Sequence, residues 1–134
     1  MITTDQVAHT NHWLRFFQDV WEAGAPVRLH TRELDDAGNP NMHPEFLHWL
    51  DGTSGRHEGT EDRARLKRAM KRVRERSLRE YEVLYRVMVL GHSIPEVADW
   101  LSLRAAKAGF ADEYTSHDTL VILYAAVDKL LEWY

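Results

Sequence analysis

Apolar residues recur at helical spacing from near the start of the chain: Val7, Trp13, Leu14, Phe17, Val20 and Trp21 share one face. Ahead of them Thr3-Thr4-Asp5-Gln6 forms a capping box, with Thr3 as the cap and Gln6 reaching back, and Gly24 and Pro26 end the helix. The period then changes. Residues 27–34, VRLHTREL, alternate at Val27 and Leu29 and resume at Leu34, which predicts a short strand turning at Asp36-Ala37-Gly38-Asn39-Pro40. Pro44 starts a short helix through Phe46, Leu47, Trp49 and Leu50, ended by Gly52. Residues 52–60, GTSGRHEGT, hold three glycines and no large apolar residue, the pattern of a flexible linker.

Beyond residue 60 only helices are predicted. Thr60-Glu61-Asp62 opens one with acids in its first turn, where they suit the helix dipole. Its apolar residues, Ala64, Leu66, Ala69, Met70 and Val73, make a narrow stripe, so most of its surface faces water or a partner. Ser77-Leu78-Arg79-Glu80 is a second capping box, opening a helix to Gly91 with Leu78, Tyr81, Leu84, Tyr85 and Met88 inward; the alternative keeps Ser77 inside one long helix continuous with the basic segment. Ser93-Ile94-Pro95-Glu96 starts the next helix, packing Ile94, Val97, Ala98 and Leu101, and Gly109 is its stop. Thr115-Ser116-His117-Asp118 opens the last, with Leu120, Ile122, Leu123, Val127, Leu130 and Leu131. Residues 120–127, LVILYAAV, are apolar on every side, which predicts burial, a dimer contact or a partner contact.

The expected fold is therefore a mostly α-helical bundle, with a short N-terminal hairpin as an added feature. It divides into an N-terminal helical cap region (1–52), a flexible linker (53–60) and a basic helical region (61–134), compact as one domain overall. The 134 residues suffice for one core, 44% of them apolar and 28% charged, and no cysteine is present to build disulfides or thiolate zinc sites. No apolar run approaches a membrane span and no signal-peptide pattern opens the chain, so a cytoplasmic protein without membrane contact is expected.

Charge changes this picture more than composition does. The net charge is -4, yet residues 63–79, RARLKRAMKRVRERSLR, carry nine of the seventeen basic residues and a single acid, Glu75. Phosphate contacts depend on local potential, so an acidic protein with its cations gathered in this way can still bind nucleic acid. The competing expectation is a solvated helix face.

The layout of helix, glycine turn, a second helix opening S-I-P-E-V-A and a capped third helix is that of a helix-turn-helix. Arg79 to Leu101, REYEVLYRVMVLGHSIPEVADWL, resembles the fourth conserved region of sigma-factor-like proteins, where an R-E-x-x-V-L helix, a glycine and a Ser-x-x-Glu-Val-Ala helix follow one another. The chain also looks like small helix-turn-helix proteins encoded by phages of actinobacteria. The specific match covers Ser77 to Trp133. The resemblance implies a C-terminal helix-turn-helix, a place in the host cytoplasm, and a recognition helix beginning at Ser116. Two departures stand out. The family joins its second and third helices by a few residues, whereas Ser102 to Tyr114 intervenes here, extending the second helix to Ala108 or inserting a loop. A recognition helix also presents Arg, Lys, Asn or Gln to bases, and this one has Asp118 and Asp128 instead, with Lys129 late.

The leading expectation is a DNA-binding helix-turn-helix transcriptional regulator of double-stranded DNA, phage-encoded if the resemblance holds. The cations of 63–79, chiefly Arg65, Arg68, Arg72, Arg76 and Arg79, would meet phosphates; Arg104 and Lys107 flank the turn and would touch backbone; Ser116, His117 and Thr119 would supply modest base selectivity. The alternative is a protein-interaction module for host RNA polymerase or a sigma factor. A homodimer seam is expected at Leu123, Val127, Leu131 and Tyr134. No cofactor or catalytic role is called for: the chain has no phosphate loop, nucleophile elbow or nucleotide fingerprint. His9-x2-His12 and His43-x4-His48 have zinc-like spacing, but polar surface histidine is the favoured expectation.

Overall fold

A computed structural model describes residues 2–23, 50 and 61–134. Its elements are α1 (Thr4–Ala23), α2 (Glu61–Arg76), α3 (Leu78–Met88), α4 (Ile94–Lys107) and α5 (Ser116–Trp133), with no strand among the described residues. The mostly α-helical bundle is therefore the fold. The hairpin expected over 27–40, the short helix from Pro44 except for Leu50, and the linker 53–60 lie outside the described residues. No helix among those described is long and apolar enough to cross a membrane.

Each helix starts where its local chemistry says it should. Gln6 N–H donates to the Thr3 hydroxyl (3.2 Å) while Thr3 N–H donates to the Gln6 side-chain oxygen (2.9 Å), closing the first box. Ser77 is extended (φ -153°, ψ 98°) and its hydroxyl accepts the Glu80 N–H, so α2 and α3 are two helices rather than one. Ser93 with Glu96 and Thr115 with Asp118 complete full boxes, Pro95 sitting in the first turn of α4. The stops are glycines in left-handed geometry. Gly91 (φ 71°) lets His92 N–H reach back to the Arg86 carbonyl (2.9 Å). Gly109 (φ 87°) closes α4 with two bonds, Phe110 N–H to Ala105 O and Gly109 N–H to Ala106 O. The two alternatives for 102–114 both apply: α4 runs on to Lys107, and residues 108–115 then form a connection. Ser102 ties that connection down, its hydroxyl accepting the Tyr114 N–H (2.8 Å) and donating to the Ala98 carbonyl (3.0 Å).

One contiguous cluster of buried side chains draws on all five helices and Leu50. α5 touches each of the other four helices, and so does α3, which lies at the centre. Every residue from Val83 to Leu90 is buried. α2 offers its narrow stripe, with Leu66, Ala69, Met70 and Val73 fully enclosed, and α1 contributes Leu14, Phe17 and Trp21. Tyr134 fastens the C-terminus: its ring meets Phe16 and Phe17 edge-on (5.8 and 5.2 Å), and its carbonyl accepts a hydrogen bond from Arg65 Nε (3.0 Å).

Several expectations change. The proposed dimer seam is spent inside the monomer, because Leu123 and Val127 are buried in the core and Tyr134 packs on α1. The 120–127 run is buried on one side only; α5 has neighbours over part of its circumference, and Val121 remains 47% exposed. Leu78, expected inward, is 52% exposed, whereas Glu80 of the same turn is the residue that reaches α5, through Lys129.

Candidate nucleic-acid interface

The cations of α2 divide by angle around the helix. Residues four apart share a face, and Arg68, Arg72 and Arg76 form one exposed ridge at that spacing. Among the described residues none of the three is ion-paired. At its far end the ridge meets the C-terminus of α5, where the guanidinium groups of Arg72 and Arg76 lie 5.3 and 5.8 Å from the centre of the Trp133 ring. Arg79, exposed in the first turn of α3, extends the cationic surface.

Other members of the basic segment are not available to a ligand, which corrects the expectation that the cations of 63–79 as a set would meet phosphates. Arg63 and Lys67 are buried, Arg63 over the Trp21 ring at 4.8 Å. Their sector of α2 is the one that turns toward the bundle. Arg65 is half-buried and engaged twice by the last residue, through its bond to the Tyr134 carbonyl and through the Tyr134 ring (4.3 Å). It is a structural clamp more than a phosphate contact.

On α5 the candidates also separate. Ser116 and His117 are exposed at its N-terminus. Thr119 is fully buried, and its hydroxyl donates to the Thr115 carbonyl (3.0 Å), so it has no surface with which to meet a base. Asp118 is fixed by the cap; the backbone and side-chain hydrogen bonds from Thr115 hold its carboxyl below the usual aspartate range, and it stays ionised at neutral pH. The outward face of α5 continues with Val121, Asp128 and Glu132 and is acidic. Lys129, on the same helix, is paired with Glu80 at 2.6 Å. On α4, Arg104 is hydrogen-bonded and ion-paired to Glu82 and lies over the Trp100 ring (5.2 Å), whereas Lys107 is exposed.

Beside the N-terminus of α5 is an open cleft of about 440 Å³, lined by Arg79, Asp112, Glu113, Tyr114, His117, Asp118, Val121 and Ile122. Two of the expected site residues, Arg79 and His117, thus meet in one depression, but amid carboxylates. Asp112 and Glu113 were not singled out in the sequence; the connection 108–115, tied to α4 through Ser102 and Tyr114, brings them beside α5. Trp133 was also missed, although an aromatic residue closing an apolar helix next to a basic one is a signal for cation–π contact. Among the described residues no three His, Cys, Asp or Glu side chains gather as metal ligands would; His9 instead lies 3.9 Å from Asp128, and His43 and His48 are outside the described residues. No protein-family model matches the chain, and neither does a curated protein or a solved structure.

Proposed function

We propose that the protein is a DNA-binding transcriptional regulator that holds double-stranded DNA by its phosphates. The observation that carries this reading is the exposed, unpaired ridge of Arg68, Arg72 and Arg76, continued by Arg79. Arginine at regular spacing on a helix is suited to phosphate, since its fork of N–H donors binds oxyanions bidentately and each contact releases condensed counterions. Lys107 is a further backbone contact, and Ser116 and His117 are the two remaining base-facing candidates. With Thr119 buried and Asp118 ionised at the same helix end, base discrimination is small and affinity is mostly electrostatic.

Fluorescence anisotropy on a labelled duplex across a salt series tests this. Four to five phosphate contacts predict a slope of log K against log salt of about -3.5 to -4.5. The triple reversal R68E/R72E/R76E is expected to abolish binding, while His117→Ala alters only the ranking of sequences. Absence of binding to any duplex at low salt, or binding indifferent to salt, would overturn the proposal.

A second reading takes an acidic surface of RNA polymerase or a sigma factor as the partner of the same ridge. The acidic outward face of α5 favours it, because it leaves the ridge without a strong base reader beside it. Retention of purified polymerase by the wild-type protein after nuclease treatment, lost in the triple reversal, would favour this reading over the first.

A further inference from the structure

We propose that a second copy of this chain docks on the flank of α5, each copy inserting a cationic, aromatic knob into the acidic cleft of the other. The knob is Trp133, 37% exposed, with Arg72 and Arg76 over its ring. The cleft is the 440 Å³ depression at the N-terminus of α5, lined by Asp112, Glu113 and Asp118 together with the exposed Val121. The two are complementary in both respects that matter at a contact. Two guanidinium groups face three carboxylates that outnumber the single Arg79, and the exposed indole faces the aliphatic Val121 and Ile122.

Their placement defines the symmetry. Ile122 lines the cleft and Trp133 follows eleven residues later, three helical turns on, so both lie on one stripe of α5 about 16 Å apart. The guanidinium pair at Trp133 and the carboxylates at the start of α5 therefore sit at opposite ends of α5. A half-turn about an axis perpendicular to that stripe lays each knob on the other copy's cleft, making two identical contacts and a closed dimer. The exposed charges make the association weak and sensitive to salt. This inference does not rest on nucleic-acid binding, but the two share Arg72 and Arg76, so a polyanion competes with the second copy.

Sedimentation velocity without nucleic acid, over about 10–500 µM protein in about 50 mM NaCl, should show the mass rising from 15.7 kDa toward twice that value and returning to the monomer at about 500 mM. Two charge reversals separate this from nonspecific association. R72E/R76E inverts the knob, and D112K/E113K inverts the cleft rim; both lie on the surface, and circular dichroism checks their helix content. Each variant alone should remain monomeric. Mixed in equal amounts they should form a dimer, because every knob again meets a cleft of opposite sign. A wild-type monomer at all concentrations, growth beyond a dimer, a variant that associates like the wild type, or a mixture that stays monomeric would each overturn the proposal.

Discussion

Arg86 is the residue whose surroundings least resemble what its chemistry prefers. Its side chain is 6% exposed, its guanidinium stacks on Trp100 at 3.5 Å, and Nε and Nη1 make no hydrogen bond. Burial pushes its pKa down to about 10. The indole face offsets part of the desolvation cost, but a buried charge with unmet donors is destabilising relative to an apolar side chain of similar length. We expect Arg86→Met to stabilise the protein by about 1–3 kcal/mol in urea denaturation. Because the folded pKa lies below that of the unfolded chain, the unfolded state holds more protons once the pH passes about 10, and stability there rises with pH. The advantage of the methionine should accordingly shrink above about pH 10. Loss of stability in Arg86→Met would show that the stack contributes more than the burial costs. Thr119 gives the opposite case, a polar residue satisfied locally. Thr119→Val should cost less than about 1 kcal/mol, since the Thr115 carbonyl still accepts the backbone N–H, and should leave nucleic-acid affinity unchanged; a drop in that affinity would restore Thr119 to the interface.

At the scale of the elements, the boundaries were the most legible part of the structure. A capping box is closed by residues three apart, so Thr3/Gln6, Ser93/Glu96 and Thr115/Asp118 could be read without knowing what the helices pack against. Gly91 and Gly109 were legible for the same reason. An added Cβ at Gly91 meets nothing within 4 Å, so Gly91→Ala should cost about 1–2 kcal/mol from its positive φ alone, measured as a shift of the urea midpoint. The face buried by each helix was less legible. α2 and the inner side of α5 followed their apolar stripes, but in α3 the sequence marked Tyr81, Leu84, Tyr85 and Met88 and missed Val83, Arg86 and Val87. A single periodic stripe identifies one contact face, and α3 is enclosed from several sides. Removing Tyr134 should loosen α1 in particular, because its ring and carbonyl join Phe16, Phe17 and Arg65; faster amide exchange across residues 13–17, with α3 unaffected, is the expected result.

The whole molecule is organised by the separation of its charge. Arg68, Arg72 and Arg76 make an outward cationic ridge on α2, while Asp118, Asp128 and Glu132 make the exposed side of α5 acidic. A net charge of -4 conceals this arrangement. Low salt should therefore strengthen both the proposed phosphate contact and the proposed self-association, and adding duplex DNA should dissolve the dimer. Co-sedimentation of labelled duplex with the protein checks this competition; a complex that retains two mutually docked copies with their ridges on DNA would contradict it.

What the chain determined by itself is local: helices begin at Thr3, Ser77, Ser93 and Thr115 and stop at Gly91 and Gly109, because caps and left-handed turns are closed by residues a few positions apart. The cationic density of 63–79 was equally plain, since charge is additive along a sequence. Which of those cations reach solvent was decided only in three dimensions. α1 and the C-terminal Tyr134 come from the two ends of the described chain to occupy Arg63 and Arg65, and α3 takes the interior that leaves Arg68, Arg72 and Arg76 outside. The burial of Thr119 and the cleft beside it have the same origin: they depend on which helix covers which face, and that follows from filling one shared core.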